Sequence, residues 1–182
     1  LSVQPGVQLN QLNKAIAEKS FDTTGWSAQA QSALRRFQQS GAWFLPADIT
    51  ETTASVGGMV STNASGAKSY RYGSMRQHVL GLRLLLANGK SLSLRRGEQF
   101  AQGRQFALRL DDGSQIAGQL PAYRMPQVKN ASGYYVHENM DLIDLFIGSE
   151  GTLGIVTEVT LALAPQPGCT WGMMAFFTRE QN

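Results

Sequence analysis

The sequence predicts an α+β fold: a mixed, largely antiparallel sheet flanked by helices. Two stretches supply the sheet. Residues 78–94, HVLGLRLLLANGKSLSL, hold two apolar runs joined at Asn88-Gly89, the dipeptide of a type I′ hairpin turn. Residues 153–165, LGIVTEVTLALAP, place Ile155, Thr157, Val159, Leu161 and Leu163 on one alternating face, and Pro165 ends the run. Helical spacing marks two further stretches, residues 9–19 and 27–39. Composition agrees: with 19 glycines, 42% hydrophobic and 16% charged residues, the 182-residue chain suits a loop-rich mixed protein better than a helical bundle or a disordered chain.

The opening LSVQPGV reads as a strand that ends at a Pro-Gly turn. In the helix that follows, Leu9, Leu12 and Ile16 share a face and Asn10 is a candidate cap. The second helix aligns Ala30, Ala33, Leu34 and Phe37, with Ser27 as cap and Gly41 as stop. AWFLPAD returns to extended chain. Residues 49–73 form a long polar loop with one short helix near residues 57–63, and loops of this length usually carry function. Residues 97–120 suggest a further hairpin turning at Asp112-Gly113. Residues 121–130 are loop, and residues 141–145 a short helix. CTWGMMAFFT begins one more strand, and its Trp171, Met173, Met174, Phe176 and Phe177 are most simply packing residues.

Several function classes have no support. The net charge of +3 is scattered without a run of five like charges, which argues against a nucleic-acid partner. A few of these cations are candidates to face a phosphate-bearing cofactor. One cysteine, Cys169, allows neither a disulfide framework nor a metal site, and fits a reducing, cytoplasmic compartment. No apolar run is long enough to span a membrane. The first ten residues lack the basic start and apolar core of a signal peptide, and read like the middle of a longer protein. Nucleophile-elbow, Walker and G-x-G-x-x-G signatures are all missing.

Four segments are candidates to carry chemistry. In TTASVGGMVSTNASGAKSYRYGS, residues 52–74, Gly57-Gly58 let a backbone approach a ligand, and Thr62, Asn63 and Ser65 offer neutral donors and acceptors. A flexible glycine-serine loop explains the same residues equally well. In DLFIGSEGTLGIVTEV, residues 144–159, Glu150 argues against a phosphate cradle, because a carboxylate repels the anion. It suits a hydroxyl, an amide or a helix start, or simply the donors of a tight turn. KNASGYYVHEN, residues 129–139, offers Lys129, Tyr134, Tyr135, Glu138 and His137, the last a candidate general base that is as readily an ordinary surface histidine. His78, just before an apolar strand, is structural. Neither histidine has companions at metal-ligand spacing, so no metal is expected. The fourth segment is the aromatic and sulfur-rich tail.

Two blocks together resemble a known family. Residues 46–89, PADITETTASVGGMVSTNASGAKSYRYGSMRQHVLGLRLLLANG, and residues 129–165, KNASGYYVHENMDLIDLFIGSEGTLGIVTEVTLALAP, are similar to the FAD-linked oxidases of the vanillyl-alcohol oxidase type, with a PCMH-type FAD-binding fold. The D-lactate, glycolate and D-2-hydroxyglutarate dehydrogenase branch is the nearest in flavour. The resemblance implies a PCMH-type domain over residues 1–167, mainly its second subdomain with the first subdomain missing, and the start of a substrate or cap domain over residues 168–182. It reads residues 21–41 as an insertion. It implies non-covalent FAD and oxidation of a 2-hydroxy acid by hydride transfer to the flavin N5, with an unspecified electron acceptor.

The same resemblance implies that Ile49, Thr50, Thr52, Thr53 and Ser55 line the cofactor. Gly57 and Gly58 admit the pyrophosphate or flavin edge, and Thr62, Asn63, Ala64, Ser65 and Gly66 continue that wall. Glu150, Gly151, Gly154 and Ile155 close over the FAD, the Ile155 backbone near the adenosine half. No catalytic residue carries over, since the family's cap would follow Pro165. The alternative is a truncated module that does not retain FAD and serves as a scaffold or interaction domain.

Overall fold

The structure is a computed structural model, and it describes residues 1–47, 49–131 and 133–176. Its centre is a four-stranded antiparallel sheet, ordered β1 (Ser2–Val3), β7 (Ile155–Leu161), β3 (Val79–Leu85), β4 (Ser91–Arg95). Between β1 and β3 the chain forms α1 (Leu9–Glu18), α2 (Ala28–Gln39), β2 (Trp43–Phe44), α3 (Val56–Ser61), α4 (Ser69–Tyr72) and a 3₁₀ turn at Met75–His78. After β4 come the hairpin β5 (Gln105–Arg109) and β6 (Gln115–Gln119), then α5 (Ile143–Phe146). A short strand, β8 (Ala164–Pro165), pairs with β2, so Pro165 lies in a ladder of its own beyond the end of β7.

One face of the sheet is the core. Leu82 and Leu84 of β3, Leu92 and Leu94 of β4, and Val159 and Leu161 of β7 are all buried. Against them pack α1 through Leu9, Leu12 and Ile16, α3 through Val56, Met59 and Val60, and the segment around α5 through Leu142, Ile143 and Ile147. The apolar period of 3.6 in α1 thus meets the period of 2 in the strands.

The expected single face of β7 is broken. Arg83 pairs with Glu158 but Leu84 pairs with Val156, leaving Thr157 as an extra residue whose Oγ1 donates to the Arg83 carbonyl at 3.1 Å. A β-bulge reverses the alternation on either side of it. Val156 therefore faces inward with Val159 and Leu161, while Ile155 and Thr157 turn to solvent. The turn between β3 and β4 also differs from expectation. Only Gly89 has positive φ (77°), and it follows a β-turn closed by its N–H on the Leu86 carbonyl, so this is a longer loop with a left-handed glycine rather than a type I′ pair.

Ser27 caps α2 as expected, its Oγ accepting from the Ala30 N–H, but the helix ends at Ser40, whose hydroxyl bonds back to the Phe37 carbonyl at 2.6 Å. For α1 the cap is Gln8 rather than Asn10. The reason is tertiary: the N–H groups of Leu9 and Asn10 are taken by the carbonyls of Ala54 and Thr52, each at 2.9 Å. Residues 169–176 form exposed coil rather than a strand, since among the described residues nothing pairs with them. Phe177 lies outside the described residues.

Charge is buried where the elements converge. Arg76 and Asp144 lie inside the protein, with Arg76 Nη1 at 3.2 Å from Asp144 Oδ1. Arg76 also donates to the Asp144 and Ile147 carbonyls, each at 2.5 Å, and its guanidinium stacks 4.1 Å from the Tyr135 ring. Burial lowers the Arg76 pKa and Asp144 opposes that shift. Arg96 grips the same carboxylate at 2.9 and 3.1 Å and donates to the backbone of Val79 and Arg76.

Three stability outcomes follow. Asp144→Asn strands two guanidiniums at once and is expected to cost about 3–5 kcal/mol in urea unfolding. Gly57→Ala places a Cβ 2.6 Å from Pro5 Cβ, in the turn that joins β1 to α1, and overpacking of that kind costs about 1–3 kcal/mol. His78 is buried with its Nε2 unpartnered, and burial holds its pKa below the usual 6.5 against an opposing backbone hydrogen bond at Tyr72. A depressed folded pKa means the folded state binds fewer protons than the unfolded chain. The stability of the neutral imidazole is present above about pH 6.5 and lost as pH falls through the folded value. Urea midpoints measured between pH 7.5 and 5 should fall for the native sequence, and that part of the fall should vanish in His78→Gln.

Candidate functional site

The two motif blocks that lie far apart in sequence are bonded directly to each other. At the C-terminus of α3 the Val60 carbonyl accepts the Gly148 N–H at 2.9 Å, and the Ser61 carbonyl accepts the Glu150 N–H at 2.8 Å. Both carbonyls lie in the last turn of the helix, where Val60 also accepts the Asn63 N–H at 3.1 Å. On the other side of α3, the opening segment crosses residues 52–57: Val56 donates to the Val7 carbonyl at 2.9 Å and Gly57 to that of Pro5 at 2.8 Å.

Asn63 locks the junction. It sits in the left-handed region (φ 47°), and its Oδ1 accepts from Ser74 Oγ at 2.9 Å and from the Arg76 N–H at 3.0 Å. Gly148 (φ 85°) lies beneath it, where a Cβ would stand 3.2 Å from Asn63 Cβ and 3.5 Å from Arg76 Nη2. The third segment joins through Tyr134 Oη and Thr152 Oγ1, 2.7 Å apart, and through Tyr135 on Arg76.

The sequence-expected site residues fall into three groups. Gly58, Thr62, Glu150, Gly151 and Ile155 are exposed, as are Thr50, Thr52 and Thr53 in the loop that leads to α3. Gly58 meets only Ser55 Oγ, the cap of α3, and Gly151 faces open space. Glu150 has positive φ (54°) and an exposed side chain, so the turn leaves its carboxylate in solvent. A second group, Ile49, Ser55, Asn63, Ala64, Ser65, Gly66 and Gly154, is half-buried. Gly154 packs on the end of β3, where a Cβ would meet the Leu85 carbonyl at 3.1 Å. Gly57 stands apart. It is buried, and the space its missing Cβ leaves is filled by Pro5.

Beside this edge runs a groove of about 1030 Å³. One wall comes from residues 63–77, the other from residues 124–131 and 133–137, and Gly148 lies between them. Asn63 and Gly66 open onto it, but Gly58, Thr62 and Glu150 do not. Sequence reasoning missed Arg76, Arg96 and Asp144, which hold the two walls at their base. For Asp144 the available signal was a lone charge inside an apolar run, LIDLF; Arg76 and Arg96 lie in polar surroundings in the sequence and carried none. Among the described residues, no helix is long and apolar enough to cross a membrane.

The family described as FAD binding domain matches residues 20–95. A probable mitochondrial D-lactate dehydrogenase of Danio rerio is 35% identical over 168 residues, covering 92% of this chain and 27% of that protein. The mitochondrial D-2-hydroxyglutarate dehydrogenase of Rattus norvegicus is 33% identical over 135 residues, covering 74% and 19%. Glycolate oxidase subunit GlcD of Bacillus subtilis is 29% identical over 169 residues, covering 93% and 28%. The chain thus spans less than a third of the length of each of these relatives. A solved structure of alkyldihydroxyacetonephosphate synthase superposes with a TM-score of 0.50 at 20% identity, over 92% of this chain and 20% of that one. The chain thus carries an FAD-binding domain of PCMH-like fold and is similar in sequence to D-lactate and D-2-hydroxyglutarate dehydrogenases and to a glycolate oxidase subunit.

Proposed function

We propose that residues 1–167 form one wall of the FAD cleft of a flavin-dependent oxidoreductase that oxidises a 2-hydroxy acid, and that residues from 168 onward begin its substrate cap. The observation that carries this reading is the direct bonding of the Val60 and Ser61 carbonyls to the Gly148 and Glu150 amides. It turns two distant glycine-bearing blocks into one continuous edge.

That edge fits a flat, extended cofactor. Gly58 and Gly151 present bare backbone, with open space where Gly151 would carry a Cβ. Thr50, Thr52, Thr53 and Ser55 border its near end, and Thr62, Asn63, Ala64, Ser65 and Gly66 continue it. Gly57 contributes by fixing the turn beneath α3 rather than by touching the cofactor. The exposed Glu150 carboxylate suits a ribose hydroxyl better than a phosphate. Gly154 and the Ile155 backbone close the far end, toward the adenosine half. None of these residues is His, Cys or Tyr, which favours non-covalent FAD. When bound, FAD supplies the hydride acceptor at N5, while the chain binds and orients it and keeps water from one face. A cytoplasmic setting suits the exposed thiol of Cys169.

The test is direct binding. Titration of the purified chain with FAD should quench flavin fluorescence and raise the melting temperature, by the equivalent of about 2.7 kcal/mol at a hundredfold excess over Kd. Gly58→Val, which puts a branched side chain on the bare edge, should weaken FAD at least tenfold while keeping the circular dichroism of the native fold. No quench and no thermal shift at saturating FAD would leave the scaffold reading in possession of this chain.

A further inference from the structure

We propose that the outer edge of β6 is a dimerisation edge, which takes β6 of a second copy of this chain, antiparallel and centred on Ala117. The edge belongs to the β5–β6 hairpin and is independent of the flavin-cleft reading above.

The hydrogen-bond ladder leaves this edge open. The Leu110 N–H donates to the Ser114 carbonyl and the Leu120 N–H to the Arg104 carbonyl, each at 2.8 Å. These bonds bracket the register pairs of β5 with β6. Inward bonding alternates along an antiparallel pair. Residues 114, 116, 118 and 120 therefore bond toward β5, while Gln115, Ala117 and Gln119 point their N–H and C=O groups away from it. Among the described residues, no hydrogen bond reaches those outward groups.

Other edges are protected. On β4, Asp111 donates its N–H to the Ser91 carbonyl at 3.0 Å and accepts the Ser93 N–H on its carboxylate at 2.9 Å. On β5, the backbones of Gln102 and Gln105 bond to each other at 2.8 and 3.0 Å, and Gln99 Oε1 accepts the Arg109 N–H at 3.0 Å. Where β7 runs past β1, the bulge at Thr157 and the charge of Glu158 interrupt it. β6 has none of these devices. Its sequence, QIAGQ, holds no charge and no proline, and its pairing with β5 has no shift of register. An edge of that kind is a template for another strand.

Composition selects a second copy as that strand. With a two-fold axis at Ala117, Gln115 lies opposite Gln119 of the second copy and Ala117 opposite its own counterpart, each pair exchanging two backbone bonds. No charge meets a like charge, and the glutamine amides on the exposed face can donate to and accept from each other across the junction. On the other face, Ile116 comes opposite Gly118 of the second copy. The space a side chain would take at Gly118 is filled by the Phe106 ring, whose Cζ a Cβ there would meet at 2.8 Å, so Ile116 packs against that ring. Both Ile116 and Phe106 are half-buried in the single chain. Pro121 confines the pairing to this strand. The combined sheet has β5 at both outer edges, already covered by residues 99–102, so the assembly closes at two copies.

The experiment is sedimentation velocity of the whole chain from micromolar to millimolar concentration. A monomer–dimer equilibrium is expected, and a weak one, since two short edges bury less than about 1,200 Å². The Ala117 side chain is exposed, so Ala117→Lys and Ala117→Glu should keep the native melting temperature while each weakens the dimer about tenfold, by setting like charges opposite each other. An equimolar mixture of the two variants should restore the dimer, because position 117 meets itself only in this register. Ala117→Pro, which removes an outward N–H and no inward one, should also abolish pairing. A chain that stays monomeric at millimolar concentration would overturn the proposal. So would a dimer that both charged variants leave intact, which would move the contact elsewhere, as to the exposed coil of Trp171, Met173, Met174 and Phe176. Failure of the mixed variants to dimerise would overturn the register, and growth beyond two copies would overturn the closure.

Discussion

A guanidinium cannot be buried cheaply, and most of this architecture follows from how Arg76 is accommodated. Its charge is met by Asp144, two further donors by the Asp144 and Ile147 carbonyls, and its open face by Tyr135. Those partners come from α5, from the residue just before the Gly148 turn and from the segment that lines the groove. One side chain therefore fixes the relative placement of all three. Arg96 repeats the logic from the end of β4, bonding to Asp144 and to the Arg76 carbonyl, so the sheet is locked to the same point. Such a cluster is a poor source of net stability compared with well-packed hydrocarbon, but losing any one member strands the others. What it supplies is position.

The glycines illustrate how one residue type serves different ends. Gly57 and Gly58 are neighbours, yet the first is a packing glycine under Pro5 and the second a bare surface. Gly148 is required twice over, by its left-handed backbone and by the closeness of Asn63 and Arg76. Gly151 has only its φ of 75° to explain it within this chain, and the space beside it is open. Gly58 has neither a positive φ nor a close backbone neighbour, and a Cβ there would meet only Ser55 Oγ.

The turn of the central hairpin and the short α4 were not legible in the sequence, whereas the two longer helices and the strands of both hairpins were, in local periodicity. The Ser27 cap is an example, since it needs nothing beyond its own helix. Legibility failed where a partner distant in sequence decides the outcome. Gln8 replaces Asn10 as cap because the amides of the first turn of α1 find carbonyls at residues 52 and 54. Ile155 turns outward because Thr157 is squeezed out of a ladder that only β3 imposes. At the site, the two blocks were visible as strings, but their bonding at Val60 and Ser61 was not. Nor was the charge cluster, since Arg76 and Asp144 are 68 residues apart.

The arrangement sets an exposed edge and a groove side by side, meeting at Asn63 and Gly148. Backbone and small side chains make most of the exposed edge, with Gly58, Thr62 and Gly151 open to solvent. Longer charged and aromatic side chains, Arg76, Arg124, Lys129, Tyr70 and Tyr135, line the groove. Asn63 belongs to both. Its left-handed backbone continues the edge from Thr62, and its side chain is spent inward on Ser74 and Arg76, so it presents no mobile group at the boundary. Gly148 lies directly beneath, where any side chain would meet Asn63 Cβ at 3.2 Å and Arg76 Nη2 at 3.5 Å, so the junction tolerates nothing larger than glycine.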